Sequence, residues 1–208
     1  MSEGKPDSQQ ALDQQAGPVF SYPVYLDLHG RAVLVVGAGP VGARKAAGLI
    51  AAGAEVTVVA PEISDDVRAL DPPAAAVVVR SYDRSLLDEV RPWLVITATN
   101  VAEVNAHVAR DATAAGIWAN SADDPVNCGF ILPAIHRQGD VTVAVSTGGA
   151  APALAQYVRD RVGELIGPAY ARAAVALRRR RDEFHARGET TEGRDWRPDI
   201  EAVLRDPE

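Results

Sequence analysis

Three glycines at a fixed spacing carry the strongest chemical signal in the sequence. Gly37, Gly39 and Gly42 form the pattern G-x-G-x-x-G directly after the apolar run AVLVV at residues 32–36. The first glycine of such a pattern permits a tight turn, the second lets the backbone approach a pyrophosphate, and the third allows close helix–strand packing. The following helix offers free N–H groups to phosphates. The spacing predicts a dinucleotide site, and a glycine-requiring turn without a ligand stays open as the alternative.

A second candidate site is the stretch ANSADDPVNCGF, residues 119–130. Asp123 or its neighbour Asp124 could serve as a general base or steer a metal cation. Because aspartate and proline are also common in turns, a purely structural turn at Asp123, Asp124 and Pro125 remains an alternative. Cys128 has no cysteine or histidine partner at ligand spacing, which favours a small packing residue over a metal ligand or nucleophile.

The elements that must position these residues alternate along the chain. Apolar, β-branched runs predict parallel strands, and polar–apolar stretches that end at Gly53 and Gly116 predict helices between them. This alternation is typical of an open parallel sheet with helices on both faces, and the class is α/β. The predicted strands are residues 32–36, 55–59, 75–79, 93–99 and 117–120, with a helix over 101–116.

The pattern changes after Asn120. Two apolar strands around RQGD predict a β-hairpin, and Pro152 is suited to the first turn of the next helix. On that helix an apolar face is expected, and two further helices follow. The sequence therefore predicts a Rossmann-type parallel sheet domain, a β-hairpin segment and a C-terminal helical domain. The expected boundaries are a flexible tail at 1–19, a nucleotide-binding domain at 20–120, the hairpin segment at 121–147 and the helical domain at 148–208; the apolar face comprises Leu154, Val158, Val162 and Leu165.

The cofactor cleft is expected at the carboxyl ends of the strands, because ligands of such sheets bind there. Thr97, Thr99 and Asn100 follow or end the fourth strand. After the second strand, Ala60 occupies the position in which an acidic residue usually holds the ribose, and Glu62 follows two residues later. No arginine stands there to receive a 2′-phosphate, so the sequence favours NAD over NADP.

Two cations are expected in the first turn of the helix after the glycines. Arg44 and Lys45 oppose the helix dipole there, so they either contact an acidic ligand or form a solvated face. Both interpretations stay open.

Composition narrows the function classes. The net charge of −7 argues against general binding to nucleic acid or anionic membranes. A single cysteine excludes an internal disulfide and a multi-cysteine metal cage, which suits a cytoplasmic protein. No apolar run approaches the roughly 20 residues that span a bilayer, and the polar start has no hydrophobic signal region.

The order and spacing of four segments resemble one known family. YPVYLDLHGRAVLVVGAGPVGARKAAGLIAAGAEVTVVAPE, VITATN, NSADDPVNCGFILPA and VAVSTGGAAPALA are similar to the precorrin-2 dehydrogenase family, the dehydrogenase module of sirohaem synthase. The resemblance implies oxidation of precorrin-2 to sirohydrochlorin with NAD, on the route to sirohaem or cobalamin. It also implies a homodimer that uses the segment after the nucleotide domain. Some members insert Fe²⁺, so chelatase activity towards Fe²⁺ or Co²⁺ stays open.

The resemblance also assigns roles to individual positions. The family's catalytic aspartate falls on Asp123, and its tetrapyrrole-side hydroxyl falls on Thr147, where threonine replaces the family's serine. The implied cofactor contacts are Gly37, Gly39, Pro40, Val41, Gly42, Pro61, Glu62, Thr97, Thr99 and Asn100; the implied substrate contacts are Asn120, Asp124, Arg137, Ser146, Thr147 and Gly148.

Precorrin-2 is rich in carboxylates, so its pocket should offer cations and N–H donors. His136, Arg137, Arg159 and Arg161 are candidates, as is the STGGAAP turn before the helix. Plain helix capping by Ser146 or Thr147 is the alternative. Two other functions stay open for the whole chain: a non-catalytic regulator that binds NAD or tetrapyrrole, and a dehydrogenase of a different small substrate. The fused methyltransferase of sirohaem synthase does not fit within 208 residues, which implies a standalone enzyme or an excised module.

Overall fold

A five-stranded parallel sheet in the order β3-β2-β1-β4-β5 organises the first part of the chain. The structure, a computed structural model, describes residues 22–122 and 124–205. The predicted tail at 1–19 and the candidate Asp123 lie outside these residues. The strands are β1 (Ala32–Val36), β2 (Glu55–Ala60), β3 (Ala76–Val79), β4 (Leu94–Thr97) and β5 (Trp118–Ser121).

Helices cover both faces of this sheet. Apolar side chains of β1 alternate between the two faces, so that Val33 and Val35 belong to one core and Leu34 and Val36 to the other. All four are buried, as expected for a central parallel strand. The helices of this unit are α1 (Pro40–Ile50), α2 (Asp65–Arg68), α3 (Ser85–Val90) and α4 (Ala102–Ala114); α1 packs in the first core, and α3 and α4 pack in the second.

The predicted fold class is confirmed, and the strand predictions agree with the structure to within a few residues. Sequence patterns missed α2 and α3, because helices of one or two turns are too short to show an apolar period. The third predicted strand is β3, an edge strand of the sheet in which Val77 and Val79 are exposed.

A hairpin and three helices form the second unit of the chain. Strands β6 (Ala134–Gln138) and β7 (Val141–Val145) pair antiparallel across the predicted turn, where Gly139 adopts a positive φ of 56°. Three helices follow: α5 (Pro152–Leu165), which begins at the predicted proline, α6 (Pro168–Ala186) and α7 (Arg197–Arg205).

Close side-chain contacts hold the helices on the hairpin. His136 lies against Gly163 of α5 so tightly that a Cβ there would stand 2.9 Å from its Nδ1. Arg178 of α6 forms an ion pair with Asp140 of the hairpin turn at 2.8 Å. On α6, Phe184 meets Trp196 edge to face, with ring centroids 6.0 Å apart. The unit is therefore assembled from β6, β7, α5 and α6, with α7 packed on α6.

Contacts divide the chain into two compact units between Leu132 and Pro133. This division falls inside the segment predicted as 121–147, and the functional boundaries drawn from the sequence stay a prediction. Within the described residues, the helices include none that is long and apolar enough to cross a lipid bilayer.

Candidate functional site

The glycine turn joins β1 to α1, and backbone atoms pack closely around its first and third glycines. Gly37 has a φ of 111°, a conformation that residues with a Cβ rarely adopt, and its N–H donates to the carbonyl of Val59 at 2.9 Å. A Cβ on Gly37 would lie 2.4 Å from the carbonyl oxygen of Ala98. A Cβ on Gly42 would lie 2.0 Å from the carbonyl oxygen of Gly37. The first and third glycines are therefore required by backbone contacts within the protein.

Gly39 is different, because its environment is open. A Cβ on Gly39 would meet no atom within 4 Å, although the residue is the N-cap of α1 and lies in the middle of the turn. No side chain caps this helix end, and its first turn carries no acidic residue. The open space and the uncapped N–H groups of Val41 and Gly42 fit a pyrophosphate, so these residues suit a dinucleotide cofactor. Pro40 at the first helical position has no N–H to offer.

The two cations near this turn do not lie where the sequence indicated. Because α1 begins at Pro40, Arg44 and Lys45 belong to its second turn rather than its first. Arg44 is exposed and Lys45 is half-buried. The expected opposition to the helix dipole is weaker there, since the dipole's effect falls off beyond the first turn.

The end of β2 forms one rim of the turn. Ala60 is buried, whereas Pro61 and Glu62 are exposed directly after the strand. Ser64 connects this segment to the glycine turn by donating its N–H to the carbonyl of Ala38 at 3.2 Å. The exposed carboxylate of Glu62 therefore follows the strand next to the turn, as the sequence suggested.

The opposite rim is the segment after β4. Thr97 is fully buried, and its hydroxyl donates to Ser121 Oγ at 3.1 Å. Thr99 is half-buried and Asn100 is exposed. Ala98 continues the pairing with β1 by donating its N–H to the carbonyl of Val36 at 2.8 Å. The hydrogen bonds of the sheet thus extend along this rim as far as Ala98.

Asn105 of α4 holds the same rim, and sequence reasoning missed it. Its side chain bonds the backbone N–H, the hydroxyl and the carbonyl of Thr99, and only 6% of the residue is exposed. From the sequence, an asparagine among polar residues of a helix is expected to lie on the solvated face. The signal that could have found it is its position one turn into a helix that begins just after a strand.

The loop that contains Asp123 leaves β5 next to β4. Asn120 is buried, and its amide donates to the carbonyl of Phe130 at 2.9 Å. Asp124 accepts a hydrogen bond from Asn127 Nδ2 at 2.6 Å and precedes a short 3₁₀ turn at Pro125–Asn127. The side chains of Asn120 and Asp124 are therefore engaged within the loop, and their predicted contact with substrate stays a prediction.

Cys128 closes this loop with its thiol. Its Sγ accepts the N–H of Ser121 at 3.2 Å and lies 3.3 Å from the carbonyl oxygens of both Ser121 and Asp124. Burial raises the pKa of the Cys128 thiol, and the Ser121 N–H bond opposes that rise. The thiol thus stays protonated and joins the residues on either side of position 123. Cys128 is partly exposed rather than buried, and its packing role stays a prediction.

The hydroxyl-rich turn before α5 belongs to the second unit. Ser146 Oγ accepts the N–H of Gly148 at 3.1 Å, and Thr147 Oγ1 accepts the N–H of Ala151, the N-cap of α5, at 3.0 Å. Gly148 has a positive φ of 64°. Ser146 thus bonds within the turn and Thr147 bonds the N-cap residue, and no side chain of the described residues caps the first turn of α5, so neither hydroxyl acts as the helix cap that was the alternative; substrate contact at these residues stays a prediction.

Most candidate cations of the second unit are already engaged. His136 Nε2 lies 3.1 Å from the carbonyl oxygen of Ile166, and Arg159 and Arg161 pair with Asp160 and Glu164 of their own helix. Arg137 is exposed on β6. Of these four side chains, Arg137 is the exposed one that makes no hydrogen bond or ion pair with the described residues.

The structure therefore gathers one group of predicted residues in the first unit. The glycine turn, the end of β2 and the segment after β4 are joined by backbone contacts, and the loop after β5 is bonded to β4 through the N–H of Ala122 and the carbonyl of Thr97 at 2.9 Å. Arg137, Ser146, Thr147 and Gly148 belong to the second unit.

Comparison with known proteins agrees with this geometry. A family model described as NAD(P)-binding matches residues 24–134, more than half of the chain, and the model of the sirohaem biosynthesis protein central region matches residues 138–165. The chain is similar to siroheme synthase 2 of Pectobacterium atrosepticum (40% identity, 69% of this chain, 31% of the relative). It is also similar to siroheme synthase of Chromobacterium violaceum (38% identity, 89% of this chain, 40% of the relative).

The chain thus spans about a third of the length of the first of these curated relatives. Among solved structures, SirC, a precorrin-2 dehydrogenase, matches with a TM-score of 0.65 and 26% identity over 89% of this chain and 88% of SirC. The family models match most of the first unit and residues 138–165 of the second. The chain therefore belongs to the NAD(P)-binding family that comprises precorrin-2 dehydrogenase and the N-terminal module of sirohaem synthase.

Proposed function

We propose that this chain catalyses the dehydrogenation of precorrin-2 to sirohydrochlorin with NAD as the hydride acceptor. The observation that carries the proposal is the match to SirC, which extends over nearly the full length of both chains and includes the turn that fits a dinucleotide. The relatives that are longer than this chain contain further sequence, so the proposal concerns the dehydrogenase reaction alone.

The preference for NAD over NADP follows from the end of β2. Glu62 places an exposed carboxylate after the strand, where a ribose with a free 2′-hydroxyl can be held and a 2′-phosphate would be repelled. Pro61 and Glu62 form one side of the nucleotide cleft in this proposal. Thr99 and Asn100 form the other side, with the pyrophosphate between them at Gly39, Val41 and Gly42.

The reaction removes one hydride from a saturated ring carbon of the substrate and one proton from elsewhere on it. NAD, when bound, supplies the acceptor for the hydride. We assign acceptance of the proton to the carboxylate of Asp123, because the family's catalytic aspartate falls at this position. Support comes from the flanking residues: Ser121 and Asp124 are tied together by the thiol of Cys128, which restricts the loop on both sides of Asp123.

The carboxylates of precorrin-2 require N–H donors and cations. In the proposal the second unit offers Arg137 and the turn at Ser146, Thr147 and Gly148. In the first unit, Asn120 and Asp124 stay predicted substrate contacts. The exposed guanidinium of Arg137 supports this assignment. Chelation of Fe²⁺ or Co²⁺ by the same loop remains a secondary prediction, in which the metal is a substrate.

We further propose a homodimer that is formed through the second unit. In the single chain the described part of this unit buries only Ala155 and Ala173 among its apolar residues. The face of α5 expected to be apolar remains largely exposed, with Leu154 at 52% and Leu165 at 75%. A second copy of the chain would cover such a face, since isologous dimers bury the same surface twice.

A turnover assay tests the reaction. Purified protein, NAD⁺ and freshly prepared precorrin-2 should give NADH and the absorption spectrum of sirohydrochlorin in equal amounts, and NADP⁺ should support a slower reaction. Asp123→Asn should lower the rate at least about a hundredfold, the size typical of a lost general base. Asp88→Asn is the control, because Asp88 is an exposed carboxylate of α3 with no assigned role in the site, and it should retain most of the rate. Binding of NAD⁺ and precorrin-2 without turnover would overturn the dehydrogenase proposal in favour of a regulatory protein.

A further inference from the structure

The side-chain amide of Asn105 pairs with one residue in the manner of a neighbouring strand. Its Oδ1 accepts the N–H of Thr99 at 3.0 Å, and its Nδ2 donates to the carbonyl of the same residue at 2.9 Å. The Thr99 hydroxyl adds a third bond to Oδ1 at 2.8 Å. Because Asn105 is 6% exposed, these bonds form away from water. Both polar groups of the amide are thus used on Thr99.

Thr99 begins the segment that leaves the sheet. The N–H of Ala98 still pairs with the carbonyl of Val36 in β1, and the backbone groups of Thr99 pair with Asn105 instead of a strand. The amide therefore replaces the missing ladder partner at the end of β4. Without it, two backbone groups beside the cleft would lack these bonds.

The same segment touches the glycine turn. A Cβ on Gly37 would lie 2.4 Å from the oxygen of Ala98 and 2.9 Å from the nitrogen of Thr99. Backbone therefore packs on backbone, and a shift of Thr99 would either press on Gly37 or open a gap beside it. The geometry of the glycine turn therefore depends on the hydrogen bonds that Asn105 makes to Thr99.

We propose that Asn105 is a positioning residue for the nucleotide cofactor. It fixes Thr99 and Asn100 against the glycine turn and so sets the width of the cleft in which the dinucleotide binds. This inference rests on the proposed function for the identity of the cofactor. It adds to the proposed cofactor site a residue that lies outside the glycine motif. Asn105 acts through Thr99 and is not a catalytic residue.

Asparagine alone satisfies this position. Aspartate has the same shape but presents an oxygen to the carbonyl of Thr99, and leucine has no polar group. Ionised aspartate also introduces a buried charge, and burial raises the pKa of such a carboxyl. When protonated, it regains a donor for the Thr99 carbonyl. The variant Asn105→Asp is therefore expected to recover function as the pH falls.

The test measures the dissociation constant of NAD⁺ by titration calorimetry, with the unfolding midpoint recorded for each variant. Asn105→Asp should bind NAD⁺ about tenfold more weakly than the native protein at high pH, the effect of one lost buried hydrogen bond. As the pH is lowered from about 9 to about 5, the NAD⁺ affinity of the variant should approach that of the native protein. The NAD⁺ affinity of the native protein should change little over the same range. This pH-dependent rescue distinguishes positioning from a general loss of stability.

Val108→Ala is the matched control, because Val108 is fully buried on the same helix in the core that α4 forms with the sheet. It should lower the unfolding midpoint and leave the NAD⁺ affinity of the folded protein unchanged. Equal NAD⁺ affinity of Asn105→Asp and the native protein at every pH, or equal weakening by Val108→Ala, would overturn the inference. Native protein that binds NAD⁺ without oxidising precorrin-2 contradicts the proposed reaction only, and native protein that does not bind NAD⁺ contradicts both.

Discussion

Gly42 packs directly on the carbonyl group of Gly37, and a Cβ built at position 42 would lie 2.0 Å from the Gly37 oxygen. The third glycine of the pattern therefore touches the first, while the second faces open space. The three glycines have different physical reasons for lacking a side chain. Substitutions at them should consequently separate folding from cofactor binding.

The first prediction concerns Gly42→Ala. The added methyl group collides with backbone that is held by the N–H bond between Gly37 and Val59, so α1 must move away from β1. Overpacking of this kind costs about 1–3 kcal/mol, and we expect a loss of at least this size in the free energy of unfolding measured with urea.

Gly48→Ala is the control for this substitution. Gly48 lies on the exposed side of the same helix, and a Cβ there would meet no atom within 4 Å. Because alanine is a better helix former than glycine, this variant should gain up to about 1 kcal/mol. Equal stability of the two variants would contradict the packing argument.

The second prediction concerns Gly39→Ala. A methyl group fits here without a clash, so the free energy of unfolding should change by less than about 1 kcal/mol. The methyl group occupies the space in which the pyrophosphate would approach the backbone. The affinity for NAD⁺, measured by calorimetry, should therefore fall at least about tenfold. A folded variant with native NAD⁺ affinity would show that the pyrophosphate does not lie at Gly39.

The parts of the fold that could be predicted are those that local sequence patterns indicate. Apolar runs such as residues 32–36 predicted the strands, and Pro152 marked the start of α5. The glycine spacing predicted the turn between β1 and α1, because Gly37 and Gly42 each meet a strict packing requirement there. The helices α2 and α3 escaped prediction, since four and six residues do not display a period.

The parts of the site that could not be predicted depend on contacts between distant segments. The position of Asn105 one turn into a helix that follows a strand is a local signal, but the bond from its amide to Thr99 also requires α4 to start beside the end of β4. Similarly, the link from Cys128 to Ser121 and Asp124 depends on how the loop folds back. The role assigned to Asp123 came from a family resemblance and stays a prediction.

The third prediction uses the single cysteine of the chain as a probe. Because burial raises the pKa of the Cys128 thiol, less of the reactive thiolate exists at a given pH than for a free thiol. We expect the folded protein to react with a disulfide reagent at least about tenfold more slowly than the protein in denaturant at pH 8. The rate of the folded protein should continue to rise above the pH at which the unfolded thiol has titrated.

The raised pKa of the Cys128 thiol also determines how the stability of the protein changes with pH. The folded state retains the Cys128 proton to a higher pH than the unfolded state, so the contribution to stability is present below the unfolded pKa and is lost as the pH rises through the folded pKa. Cys128→Ala should remove this part of the alkaline loss of stability. A reaction rate equal to that of the denatured protein would contradict the partly buried, hydrogen-bonded thiol.

The fourth prediction concerns the dimer proposed for the second unit. Leu154 is 52% exposed on α5 of the single chain, and a second copy that covers this face would bury it twice in a symmetric assembly. Burial of a leucine contributes about 1.5–3 kcal/mol, so Leu154→Lys should weaken dimerisation at least about a hundredfold in sedimentation experiments. Gln156→Lys adds the same charge on the opposite side of the helix and should leave the dimer intact. If both variants sediment as the native protein does, this face of α5 is not the interface, and a monomeric native protein would overturn the dimer itself.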